Sequence, residues 1–132
     1  LDGDHALYLD LGQVENLAEV TLNGQDLGIW WKPPFAAEIT AVARPGRNTL
    51  KVRVTNLWVN RLIGDEQYPD DCEWDGAHLK CWPEWLLKGQ PRPVPQRLTF
   101  TTWKHYARAS KLLESGLLGP VMLRPAARVT IE

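Results

Sequence analysis

The chain has 132 residues, with 15 lysines and arginines against 16 aspartates and glutamates, so its formal charge at neutral pH is -1. That length holds one core but no catalytic barrel beside a second module, and that balance gives no field for drawing in nucleic acid or an anionic membrane. Seven tryptophans, ten prolines and ten glycines imply frequent turns and an all-β chain, not long helices. No stretch is long and apolar enough to cross a bilayer as a helix, and Leu1-Asp2-Gly3-Asp4-His5 lacks the basic start and apolar run of a signal peptide.

The first strand is read at Leu7, Leu9 and Leu11, which alternate with Tyr8 and Asp10. Ala18, Val20 and Leu22 then lead into Asn23-Gly24, a pair suited to a two-residue type I′ turn. That turn sets Leu22 opposite Gln25, Val20 opposite Leu27 and Ala18 opposite Ile29. Pro33-Pro34 bars further ladder bonding ahead of Phe35. Ile39 to Val42 fits a helical turn or a short strand, and Arg44-Pro45-Gly46-Arg47 fits a type II turn, where Pro45 fixes φ and Gly46 tolerates a positive one.

Thr49 to Asp65 is the most telling stretch. Leu50, Val52 and Val54 alternate with Lys51, Arg53 and Thr55 as in a half-buried strand, and the alternation then gives way to Trp58, Asn60 and Arg61. From Asp65 to about residue 97 nothing periodic survives. Five prolines, Trp74, Trp82 and Trp85 occupy an excursion of a length that is usually functional or wrapped on a surface. Cys72 and Cys81 flank an Asp75-Gly76 turn signal, a spacing that suits no metal or redox motif and leaves a short disulfide open. Beyond it a strand is expected over Leu98–Thr102, a short helix over Tyr106–Glu114, and a last strand through Val129 and Ile131. Six or seven strands at this spacing describe one antiparallel β-sandwich of jelly-roll type over residues 1–132, with an irregular excursion at about 65–97.

Two sets of residues invite a ligand. Trp30, Trp31, Trp58 and Trp103 lie near Lys32, Asn60, Arg61, Lys104 and His105, and sugars are held by aromatic stacking with amides and charged groups on their hydroxyls. The competing reading is that the same rings pack a core or a domain contact. Asp65, Glu66, Asp70 and Asp71 begin an acidic run that could supply calcium with oxygen ligands. Its competing reading is a solvated acidic loop partly paired with the downstream cations Lys88, Arg92, Arg97, Lys104, Arg108 and Lys111. No pairing of acids, nucleophile with base, or phosphate loop rises above background, so no catalytic residue is assigned.

Ala18-Glu19-Val20 through Asn23-Gly24, with Leu27-Gly28, Pro34-Phe35 and Pro45-Gly46-Arg47-Asn48-Thr49-Leu50, resembles the galactose-binding-like sandwich of glycoside hydrolase family 2 relatives. The strings Trp31-Lys32-Pro33-Pro34-Phe35, Asn56 through Asp65, Thr99-Phe100-Thr101-Thr102-Trp103 and Ser115 through Val121 resemble the C-terminal domain of bacterial α-L-rhamnosidases of glycoside hydrolase family 106. The resemblance implies a galactose-binding-like jelly roll that starts at an internal strand, beside a separate barrel carrying the glycosidic acid and base. It further implies a carbohydrate partner, a periplasmic or extracellular setting and, in some such sandwiches, a structural calcium. Glu38 stands where related domains commonly carry Asp. A sandwich lacking its earlier strands has an open edge, which the parent enzyme or a second copy in a homo-oligomer should cover. The other functional class that fits is an independent carbohydrate-binding module.

Overall fold

In the computed structural model, residues 5–93, 95–99 and 105–129 are described. They divide into two compact units, one of Leu1–Leu57 with Glu114–Glu132 and one of Trp58–Leu113.

The first unit is an antiparallel β-sandwich. Its strands are β1 (His5–Asp10), β2 (Gln13–Glu15), β3 (Leu17–Leu22), β4 (Gln25–Trp30), β5 (Ala36–Glu38) and β6 (Leu50–Thr55), followed by the unit's two late strands Gly116–Gly119 and Met122–Ala127. One sheet places β1 between Met122–Ala127 and β5, and another places β3 between β4 and β6. Gly116–Gly119 pairs with β2. Leu9, Leu11 and Val14 meet Ala18, Val20, Leu22, Phe35 and Ile39 in one buried cluster, so the alternation read from the sequence does select the inward faces.

Asn23 and Gly24 both take positive φ, as the type I′ turn requires, and Leu22 pairs with Gln25. Two residues later the register departs from expectation. Gly28 has a φ of 86° and its N–H donates to Asp26 Oδ1 at 2.8 Å, which makes a bulge. Ala18 therefore faces Trp30, and Ile29 faces Glu19. The one-residue slip moves Ile29 outward, 60 % exposed, and turns the Trp30 ring onto the core. Trp30 Nε1 donates to the Leu27 carbonyl at 3.1 Å, so the half-buried indole packs on the core with its polar atom satisfied.

Gly46 has the positive φ expected of its turn. Asn48 fastens that turn, donating to the Arg44 and Gly46 carbonyls at 2.8 and 3.1 Å while its Oδ1 accepts the Arg44 N–H at 2.9 Å. Ile39 begins a helical turn, with its carbonyl accepting the N–H of Val42 and Ala43. Glu38 meets the Thr40 hydroxyl and Arg128, which hold its carboxyl below the usual range.

The second unit holds α1 (Val59–Asp65), the hairpin β7 (Glu73–Asp75) and β8 (His78–Cys81), and α2 (Glu84–Leu87). With these named, Gly116–Gly119 is β9 and Met122–Ala127 is β10. The β7–β8 turn falls at Gly76-Ala77, one residue past the signal, because Asp75 pairs with His78 and Gly76 takes the positive φ. Cys81 lies opposite Glu73, and both cysteines are free thiols.

Downstream, the described residues bear on three expectations. Leu98 and Thr99 are outside any strand, and the rest of Leu98–Thr102 lies outside the described residues. No helix forms over Tyr106–Glu114: the Ser110 hydroxyl accepts the Ala107 N–H at 2.9 Å, a local bond that competes with helical ones. The final described strand is β10, paired with β1 from His5–Ala127 to Asp10–Met122. Val129 follows it as exposed chain, and Ile131 lies outside the described residues.

Candidate functional site

The residues proposed as ligand-binding fall into three places. Trp31 follows β4 and is 66 % exposed, with Lys32 Nζ 5.2 Å from its ring centroid. The cation stacks on one indole face, an arrangement that orders the pair at the surface of the sandwich. Trp30, its neighbour, belongs to the core as described. Trp58 stands in the N-cap position of α1, 65 % exposed and without a capping side-chain bond. Trp103 lies outside the described residues.

Asn60 and Arg61, both half-buried, make bonds within their own unit. Asn60 Nδ2 donates to the Leu113 carbonyl and its Oδ1 accepts the Leu113 N–H, both at 2.8 Å, so the amide imitates a strand partner. Arg61 pairs with Asp65 one turn along α1 and donates to the Gln96 carbonyl at 2.9 Å.

Asp65 is the centre of the second unit. Its side chain is fully buried, and its carboxylate accepts the Arg61 guanidinium, the Leu98 N–H at 3.1 Å, and the Thr99 N–H and hydroxyl, each at 2.7 Å. Burial pushes this carboxyl up, but the bonds from Arg61 and Thr99 outweigh it and hold the pKa down at about 2.

Beside it Arg97, also buried, donates to the carbonyls of Asp65 at 2.6 Å and Tyr68 at 3.2 Å, and to Glu66 Oε1 at 3.1 Å. Arg92 donates twice to Asp71 Oδ2, at 3.1 and 2.5 Å, and also to the carbonyls of Thr99 at 2.8 Å and of Arg97. Its guanidinium lies 5.4 Å from the Trp85 ring centroid. Arg108 Nε donates to the Glu66 carbonyl at 2.8 Å. Irregular chain is thus fixed by guanidinium forks in place of a ladder.

This decides what the acidic run can do. Calcium takes six to eight oxygen ligands. Asp65, Glu66 and Asp71 each face an arginine, and Asp70 is exposed. Among the described residues no group of three or more His, Cys, Asp or Glu side chains converges as a metal site. The donor set fits guanidinium and does not fit a calcium ion. Arg97 is the residue that sequence reading undervalued, since it counted only as compensating charge. A lone arginine in a proline-rich loop gives no periodic sign of burial.

A second feature belongs to the sandwich. An apolar groove of about 410 Å³ is lined by Leu9 of β1, Leu22 of β3, Leu50 of β6, Met122 and Leu123 at the start of β10, and Val121 just before it. Among the described residues β6 pairs only with β3, and β10 only with β1.

No protein-family profile matches the chain. It is 50 % identical over 123 residues to a Formosa agariphila protein named "Putative beta-glucuronidase", a match covering 93 % of this chain and 10 % of that protein. A solved rhamnosidase from Novosphingobium sp. PP1Y is similar at 36 % identity and a TM-score of 0.66, over 92 % of this chain and 9 % of that one. The chain therefore spans about a tenth of the length of these two relatives.

Proposed function

We propose that the chain is a non-catalytic accessory domain of a large bacterial glycoside hydrolase of the α-L-rhamnosidase type, acting on rhamnose-containing glycans in the periplasm or outside the cell. One observation carries this reading: nearly the whole chain recurs as about a tenth of two long proteins named for different sugars, a glucuronidase and a rhamnosidase. A segment common to both does not select the sugar that is cleaved. The buried carboxylate Asp65 agrees, since it is saturated by donors and held ionised, unlike a glycosidic acid. In this reading the catalytic barrel of the parent enzyme is the domain's partner, and the sandwich is of the galactose-binding-like kind. The test is release of sugar from an aryl rhamnoside by the parent enzyme and by this chain alone. Release by the parent only is expected, and release by the chain alone overturns the assignment.

A second reading is favoured by the exposure of Trp31 and Trp58, which gives a sugar face somewhere to stack. As a carbohydrate-binding module the chain would be retarded in gels containing rhamnose-rich or pectic glycans. Trp31→Ala or Trp58→Ala would abolish that retardation, and migration unaffected by glycan ends the module reading.

A further inference from the structure

We propose that the groove between β6 and β10 is the seat of an extended apolar segment of the parent polypeptide, laid against a free strand edge so that it completes the sandwich. This rests on the reading of the chain as one domain of a longer protein. Three observations converge on such an occupant.

The first is the lining. Of the twelve residues around the groove only Arg44 and Asn48 are polar. The Asn48 amide is spent on the backbone of Arg44 and Gly46 and on Asn23, whose Nδ2 donates to it at 2.8 Å. A sugar would need several polar groups converging on its hydroxyls, whereas aliphatic side chains need none.

The second is the pair of borders. β6 and β10 each have a ladder partner on one side only among the described residues, so a strand entering here finds unpaired N–H and C=O groups beside an apolar floor. Strand addition supplies both at once: backbone bonds to the edge, and every second side chain into the groove.

The third is the length of chain available. In the two relatives about nine-tenths of the polypeptide lies outside the part matched here. A tethered segment has a high effective concentration and needs little intrinsic affinity. A second copy of the chain would have to bring the same apolar strip to itself across a two-fold axis, without that advantage.

The structure supplies its own control. Leu123 lines the groove and is 62 % exposed, while Ile29 sits on the outer face of β4 at 60 % exposed. In the full-length parent, Leu123→Cys and Ile29→Cys would be labelled with a maleimide, each in a background of Cys72→Ser and Cys81→Ser. If the groove is filled, Leu123→Cys reacts at least about tenfold more slowly than Ile29→Cys, and the ratio is unchanged on dilution. A photo-crosslinker at position 123 then joins to a stretch of the same polypeptide. Equal labelling rates overturn the proposal, as does protection lost on dilution, which assigns the groove to a second copy. The size of the native polypeptide on a blot tests the accessory-domain reading separately, so the two can fail independently.

Discussion

The two units are stabilised by different physics. Among the described residues, nine buried side chains of the sandwich are apolar and paired strands satisfy the backbone, whereas those buried in the Trp58–Leu113 unit are Ile63, Asp65 and Arg97. Oil holds the first together. In the second, arginines act as struts between stretches of chain that have no ladder, bonding to carbonyl and carboxylate groups well separated in sequence. Apolar burial is forgiving of small shifts because it has no direction, while a fork of hydrogen bonds in low dielectric tolerates the loss of no partner. The units should accordingly fail under different insults.

The sharpest separation is expected from Arg97→Ala. Removing the guanidinium strands Glu66 and two carbonyls without their donor, and breaking such a buried pair costs about 3–5 kcal/mol. Hydrogen exchange should show the 65–71 segment opening while β1 and β3 stay protected; equal loss in both units would dissolve the contrast. Leu11→Ala is the converse, at about 2–5 kcal/mol, with exchange rising in the sandwich first.

Acid offers a reversible version. The Asp65 pKa falls from 3.8 to about 2 on folding, so the folded protein holds fewer protons there than the unfolded chain. The resulting stability, about 2 kcal/mol, is fully present above the unfolded value and is lost as pH falls from about 4 to about 2. Melting followed across that range should show the second unit weakening, and Asp65→Asn should flatten the dependence. A slope that survives the substitution would place the titration elsewhere.

Gly12→Ala probes the sandwich backbone. A Cβ there would lie 2.5 Å from the Gly119 carbonyl at a φ of +66°, so about 1–3 kcal/mol should be lost in denaturant melts. The smallest effect belongs to Arg53, paired with Glu19 across β3 and β6 on the wet face. Arg53→Gln should leave the melting midpoint where it is, since exposed pairs are screened by solvent.

The same contrast explains what could be read without coordinates. β3, the Asn23-Gly24 turn and β6 announce themselves, because a two-residue period and a positive-φ turn are local properties. The bulge at Gly28 was hidden, since it depends on Asp26 reaching back to one N–H, and it reversed the roles of Ile29 and Trp30. α1 was missed for a related reason: its seven residues span too few turns to display a period, although Arg61 and Asp65 are four apart. The pairing of arginines with carbonyls 29 to 42 residues away has no signature in composition or spacing. Exposure was equally beyond reach, and it is what separates Trp30 from Trp31 and Trp58.

The Asn60 amide clasps Leu113 through two bonds, and these residues stand near the first and last positions of the second unit. The unit leaves and rejoins the sandwich sequence at nearly the same point, like a bag drawn shut at its neck. A stretch so closed can be lengthened, trimmed or replaced over evolutionary time while the strands on either side keep their spacing. It is therefore here, and not in the ladders, that related chains should differ most in length.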